Sequence, residues 1–77
     1  MVIDDTLDAL GLLCPLPVLK ARKRLMALPG GAILCLEADD PAAVVDVPHF
    51  CSEAGHVFVK SEEIGPTTRY FIRKAAG

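Results

Sequence analysis

The chain has 77 residues, enough for one domain (1–77) around a single hydrophobic core. Hydrophobic residues make up 52% of it and the net charge is −2, which argues against a broad nucleic-acid-binding surface and leaves apolar area for a docking face. The acidic start lacks the basic and apolar segments of a signal peptide, and no apolar run could span a membrane, so a cytoplasmic protein is expected.

The first part of the chain predicts a strand followed by a helix. Residues 6–10 alternate apolar and polar side chains, as a short strand does. After a turn at 11–14, a helix is expected to begin at Pro15 or Pro17 and to extend to about Leu28, because a Pro-Gly-Gly sequence follows.

This helix separates apolar from basic side chains around its axis. Its predicted core-facing half contains Val18, Leu19, Ala21, Leu25, Met26 and Leu28. Lys20, Lys23 and Arg24 form an exposed cationic stripe, which is either a solvated surface or a docking surface for acidic partners. Arg22 falls within the apolar half, either as a side chain at the rim of the core or as a cation at a functional edge.

The middle of the chain predicts a central strand and an interrupted helix. Residues 32–38 are largely apolar on both faces, as in a strand covered on at least one side. An Asp-Asp-Pro sequence then begins a helical turn, but Pro48 would clash with a helix that continued straight through it. A second segment is therefore expected, capped by Asp46, ending at Ala54 and followed by Gly55.

The end of the chain predicts two strands, 56–63 and 67–74, joined by a Gly-Pro turn. On the last strand, one face would carry Thr68, Tyr70 and Ile72, and the other Arg69, Phe71 and Arg73. The element order β-α-β-α-β-β predicts a two-layer α/β sandwich, with a mixed four-stranded sheet and two helices on one face.

Cys14 is the strongest candidate for chemistry, because it lies where the first strand leads into the first helix. A thiol at or beside a helix N-cap is close to the partial positive charge of the helix, which favours the nucleophilic thiolate. Pro15 and Pro17 have no N–H, so the N–H groups of Leu16 and Val18 are the expected donors near the sulfur. The alternative is an apolar packing role, which is common for cysteine.

The other cysteines and the histidines are weaker candidates. Three cysteines cannot all pair, and no CxxC spacing is present, so free thiols are expected. Cys35 is interpreted as a core thiol, and Cys51 as a packing residue or, alternatively, a resolving thiol. His49, Cys51 and His56 match no standard zinc spacing, so neither a metal nor another cofactor is expected.

Several blocks of the sequence resemble the TusA/SirA-type sulfur-carrier family. That family is defined by a Cys-Pro-x-Pro motif at the start of the first helix, which residues 14–17 match as CPLP. Similar blocks are the approach to the motif (7–12), the second-helix region (39–42 and 46–51) and the closing strand (69–74).

The resemblance implies a specific function. Cys14 matches the persulfide-bearing cysteine of the family, which a cysteine desulfurase or another sulfur donor loads and which passes the sulfur to a partner's cysteine. Known destinations in the family include tRNA thiolation, molybdenum-cofactor enzymes and dissimilatory sulfur oxidation. Leu16 stands at the variable motif position, where family members often carry a polar or acidic residue. The implied protein is a sulfurtransferase that relays sulfur between proteins. Nothing in the sequence indicates an obligate dimer, so a monomer is expected, and direct contact with nucleic acid is not expected from so short a basic stripe on an acidic protein.

Two other classes of function stay open at this point. A non-catalytic interaction or regulatory module, with a structural Cys14, would account for the charge stripe and the apolar surplus equally well. A thiol redox protein would require Cys14 and Cys51 to lie within disulfide distance, since a CxxC pair is missing.

Overall fold

A computed structural model describes residues 1–76, and in this range the chain forms four strands and two helices. They are β1 (Asp5–Asp8), α1 (Leu16–Met26), β2 (Ile33–Ala38), α2 (Ala43–Ala54), β3 (Val57–Ile64) and β4 (Thr67–Arg73). The strand order in the sheet is β1-β2-β4-β3, with β1 parallel to β2 and the other pairs antiparallel. The predicted element order and mixed four-stranded sheet are confirmed. Within the described residues, no helix is long and apolar enough to cross a membrane.

The two central strands, β2 and β4, carry buried side chains on both faces of the sheet. On β4, Tyr70 and Ile72 are buried on the helix side, whereas Phe71 packs on the opposite face with Ile33 and Cys35. This alternation is the one predicted for the last strand. The main core lies between the sheet and the helices, and its buried members are Leu7, Ala9, Ala21, Leu25, Leu34, Leu36, Ala38, Ala43, Val47, Phe50, Cys51, Tyr70 and Ile72. Both helices therefore cover one face of the sheet, as predicted.

The buried stripe of α1 is narrower than predicted. Pro17, Ala21 and Leu25 are buried at intervals of four residues, a single row along the helix. Leu19 and Met26 were predicted to face the core, but they are 50% and 75% exposed. The prediction was wrong for these two residues. The core contacts of α1 come from this buried row and from the half-buried Val18 and Leu28 beside it, which together cover less than the half of the helix circumference that was assigned to the core.

The second helix runs through Pro48 without a break. The sequence predicted two segments, but α2 is continuous from Ala43 to Ala54 and contains Pro48 as an internal residue. A proline removes one intrahelical hydrogen bond, and the buried residues Val47 and Phe50 on either side of it hold both turns against the core. The helix ends at Gly55, whose φ of 80° is left-handed, as expected of a C-terminal glycine.

Lys74 ties the end of β4 to the end of α1, a contact that no sequence pattern indicated. Its Nζ donates to the carbonyl oxygens of Leu25 (2.5 Å) and Leu28 (3.0 Å). Carbonyl groups at a helix C-terminus lack partners within the helix, and a cation also interacts favourably with the helix dipole there.

Replacing Lys74 by methionine should therefore lower the free energy of unfolding by about 1–2 kcal/mol, because two charge-assisted hydrogen bonds are lost while the aliphatic stem is kept. Urea unfolding followed by circular dichroism measures this difference. Lys20→Met, at an exposed position of α1, is the matched control and should change stability by less than about 0.5 kcal/mol. Equal effects of the two substitutions would contradict the capping role.

Candidate functional site

Cys14 lies in the loop that joins β1 to α1, two residues before the helix begins at Leu16. Pro15 occupies the N-cap position, so the predicted placement of Cys14 beside the helix N-cap is confirmed. The Cys14–Pro15 peptide bond is cis. The side chain of Cys14 is exposed, so it is not part of the core.

Two acids at the end of β2 hold this loop in place. Because β1 and β2 are parallel neighbours, the loops that follow them lie at the same edge of the sheet. The carboxylate of Asp39 accepts a hydrogen bond from the Gly11 N–H (3.0 Å), and that of Asp40 accepts one from the Cys14 N–H (2.6 Å). Gly11 has a φ of +78°, which allows the tight turn between Ala9 and Leu12.

Removing the Asp40 carboxylate should loosen the loop around Cys14. Asp40 also accepts a hydrogen bond from the Ala42 N–H (3.1 Å), so Asp40→Ala leaves two backbone donors without this partner. We expect a loss of about 1–2 kcal/mol in the free energy of unfolding and faster amide hydrogen exchange at residues 10–14. Glu63→Ala, which removes an exposed acid from the edge strand β3, is the control for the change in charge. Unchanged exchange in the loop would contradict the role of Asp40.

The sulfur itself contacts a residue of the second helix. Cys14 Sγ donates a hydrogen bond to Asp46 Oδ2 at 2.6 Å. Asp46 had been predicted to cap a second helical segment, but it lies in the first turn of the continuous α2, where no side chain forms a capping hydrogen bond. The predicted donor Leu16 N–H is also not directed at the sulfur, because it donates to the carbonyl of Leu13 (2.9 Å). The nearest polar partner of the thiol is therefore an acid.

This contact reverses the expected protonation of Cys14. The pKa of the thiol is raised above its ordinary value, chiefly because the thiol donates to Asp46, with further contributions from desolvation by neighbouring atoms and from the negative charges of Asp46 and Asp40. The sequence had predicted a thiolate stabilised by the N-terminus of α1. At neutral pH the resting sulfur therefore carries its proton, and the thiolate needed for nucleophilic attack is a minor species.

A shallow cavity of about 270 Å³ lies beside the sulfur site and shares Asp46 with it. Its other lining residues are Pro15, Val18, His49, Phe50 and Glu53. Apolar side chains that border Cys14 and Asp46 in the sequence, Leu13, Leu16 and Val45, are exposed. An exposed thiol with apolar neighbours and an adjoining cavity gives a second protein room to approach the sulfur.

The other two thiols are inaccessible. Cys35 is 2% exposed on the helix-free face of the sheet, and Cys51 is 1% exposed on the core-facing side of α2. Burial raises the pKa of Cys35, and it raises that of Cys51 to about 11. Within residues 1–76 all three cysteines are free. The predicted packing positions of Cys35 and Cys51 are confirmed.

The histidines have separate local partners. His49 lies on the surface of α2 with its Nε2 3.6 Å from the Glu53 carboxylate, and His56 Nδ1 accepts a hydrogen bond from the Ala75 N–H (2.9 Å). In the part of the chain that the structure describes, no three His, Cys, Asp or Glu side chains are grouped so that they could hold a metal ion.

The basic residues of α1 lie on two sides of the helix. Lys20, Lys23 and Arg24 line a cavity of about 340 Å³ together with Leu7, and Arg24 forms a salt bridge with Asp5 at 3.0 Å. The stripe is thus partly neutralised by β1. Arg22 is exposed and lies toward α2, where it lines a small cavity with Phe50, Glu53 and Ala54. That position agrees with a side chain at the rim of the core.

Sequence reasoning missed Asp46 and Asp40 as parts of the site. They lie 32 and 26 residues from Cys14, so no local spacing connects them with the thiol. The available signal was topological: a strand-helix-strand unit places the loop after its first strand beside the loop after its second. Acids in the second loop could thus have been expected near Cys14.

Comparisons with known proteins identify the family of this chain. The family model described as "Sulfurtransferase TusA" matches residues 5–74. The chain is also similar to the crystal structure of a SirA-like protein from Desulfitobacterium hafniense, with a TM-score of 0.81 and 25% sequence identity over 92% of this chain and 97% of that one. Because the family match spans nearly the whole chain, from β1 to the residue after β4, the chain belongs to the TusA family of sulfurtransferases.

Proposed function

We propose that this protein is a sulfur carrier that holds a sulfane sulfur as a persulfide on Cys14 and passes it to a cysteine of a partner protein. Membership of the TusA family supports a role in sulfur transfer. The observation that favours Cys14 is its accessibility, since it is the exposed thiol while Cys35 and Cys51 are buried. A sulfur that must react with two successive proteins has to be reachable by both.

Each transfer exchanges one sulfur–sulfur bond for another. The Cys14 sulfur attacks the outer sulfur of a donor persulfide, a new bond forms between them, and the donor's own sulfur departs as a thiolate that takes up the proton released from Cys14. An acceptor cysteine then attacks the outer sulfur on Cys14, which returns to the thiol. No net oxidant or reductant is required, because a sulfane sulfur passes from one thiol to the next.

The donor and acceptor are expected to be proteins. A cysteine desulfurase or another persulfide donor would load Cys14, and an acceptor in tRNA thiolation, cofactor biosynthesis or sulfur oxidation would receive the sulfur. Exposed Leu13, Leu16 and Val45 offer apolar contacts for both partners. We expect the carrier to act as a cytoplasmic monomer that relays sulfur rather than as a stand-alone catalyst.

The test is a loading experiment followed by intact-mass spectrometry. The protein is incubated with a cysteine desulfurase and cysteine, and in parallel with polysulfide or thiosulfate as the sulfur source. We expect a gain of one sulfur atom per chain that disappears on treatment with a thiol reductant. A chain that gains no sulfur from any of these donors would contradict the proposal.

A further inference from the structure

We propose that Asp46 controls the protonation of Cys14: its carboxylate keeps the proton on the sulfur while no partner is bound, and takes that proton up when a donor persulfide reacts. The first half of this role is a property of the chain alone. The second half depends on the sulfur-carrier function proposed above.

The geometry that supports this role is a direct contact between the reacting atom and an acid. Asp46 Oδ2 lies 2.6 Å from Cys14 Sγ, and an ionised carboxylate can only accept a hydrogen bond, so the proton on sulfur lies in the contact. If the thiol ionised, two negative groups would face each other at this distance. Ionisation of Cys14 is therefore opposed for as long as Asp46 keeps its charge and its position.

The other charged groups near Cys14 do not offset the effect of Asp46 on the thiolate. The titratable groups facing this region are Asp39 and Asp40 from the loop after β2, and Asp46, His49 and Glu53 from α2. The first turn of α1 contributes no charged side chain, because Lys20 is the first basic residue of that helix. Asp40 adds a further negative charge that opposes the thiolate. The positive end of α1 is thus outweighed by the acids that the second loop and α2 bring to the sulfur.

The same contact suits the loading step. As the Cys14 sulfur forms its bond to the outer sulfur of the donor, its proton passes to the carboxylate it already touches, and from there to the departing donor thiolate. The donor's sulfur–sulfur bond breaks, and the Asp46 carboxylate is restored. Asp46 is accordingly a positioning and proton-holding residue, and Cys14 alone forms bonds to sulfur.

The test is the pH dependence of alkylation of Cys14 by iodoacetamide, in the free protein without any sulfur donor. Peptide mapping quantifies the modification at Cys14. We expect Asp46→Asn to move the midpoint of the pH profile to lower pH and to raise the rate at neutral pH several-fold, because the thiolate is no longer opposed by the carboxylate. Asp46→Glu should keep much of the wild-type profile. A midpoint in Asp46→Asn that is unchanged or higher would overturn the proposal.

A matched control distinguishes the effect of the Cys14–Asp46 hydrogen bond from the effect of negative charge near the sulfur in general. Glu53 lines the same cavity on α2 and forms its contact with His49, so Glu53→Gln removes an equal charge near the site. We expect its alkylation profile to follow that of the wild type, and a shift equal to that of Asp46→Asn would overturn the specific role of Asp46. Circular dichroism confirms that each variant is folded.

The loading reaction tests the second half of the role. Asp46→Asn should gain sulfur from the donor more slowly than the wild type in spite of its larger thiolate fraction, and equal or faster loading would overturn the proton-accepting role. Failure of the proposed function looks different. In that case neither protein gains sulfur from any donor, while the alkylation profiles still differ.

Discussion

Replacing Cys14 by serine should abolish the gain of sulfur in the loading experiment. A hydroxyl does not form a persulfide, and it is a far weaker nucleophile than a thiol near neutral pH. The two remaining thiols should not substitute, because Cys35 and Cys51 are buried and a large donor cannot reach them. The expected result is a complete loss of loading with an unchanged fold, measured by intact mass and by thermal unfolding.

The control for this experiment removes a buried thiol instead. Cys35→Ala leaves Cys14 untouched and deletes a sulfur from the helix-free face of the sheet, so it should load to the wild-type level. If Cys14→Ser still gained one sulfur and Cys35→Ala did not, the carrier site would be Cys35 and the assignment of Cys14 would be wrong. Alanine is chosen because it leaves no hydroxyl group without a partner in an apolar environment.

The same variant distinguishes a carrier from the other function classes. A carrier with serine at position 14 should still bind its donor protein and lose only the transfer of sulfur. An interaction module should keep both its partner and its effect. A redox protein that uses Cys14 and Cys51 would show a reversible disulfide under oxidation, yet Cys51 is buried and its pKa is raised to about 11, which disfavours the thiolate required for exchange.

Replacing Leu36 by alanine should lower the free energy of unfolding by about 2–5 kcal/mol. Leu36 is fully buried in β2, where it pairs in register with Leu7 of β1 and Tyr70 of β4. The substitution removes apolar contacts and leaves a cavity in a layer that neighbouring strands hold at fixed spacing. A domain of this size has only about 3–5 kcal/mol of stability from its core, so much of the variant should be unfolded at 37 °C.

The matched control makes the same substitution on the surface. Leu13 is 69% exposed beside Cys14, and Leu13→Ala should change the free energy of unfolding by less than about 0.5 kcal/mol. Urea unfolding at 25 °C measures both differences. A cost below about 1 kcal/mol for Leu36→Ala, or equal costs for the two variants, would contradict the position of the core.

The sequence by itself determined the order of elements and the position of Cys14. A Pro-Gly-Gly sequence after α1 and Gly55 after α2 are local signals whose backbone preferences act whatever the rest of the chain does. Alternation along β4 placed Tyr70 and Phe71 on opposite faces of the sheet. This too is a local property, because neighbouring residues of any strand point to opposite sides. The position of Cys14 in the loop before α1 also follows from local signals, the two prolines that begin the helix.

Only the tertiary structure decided how Cys14 behaves. Its partner Asp46 is 32 residues away and reaches the sulfur because β1 and β2 are parallel neighbours, which brings the loop after each strand to one edge of the sheet. The sign of the shift in the thiol pKa follows from that contact, against the local expectation from the helix N-terminus. Packing also decided that α2 continues through Pro48, because the buried residues on either side of the proline hold both turns in place. Local preferences act over a few residues, whereas these features depend on contacts between distant segments that exist only once the sheet has formed.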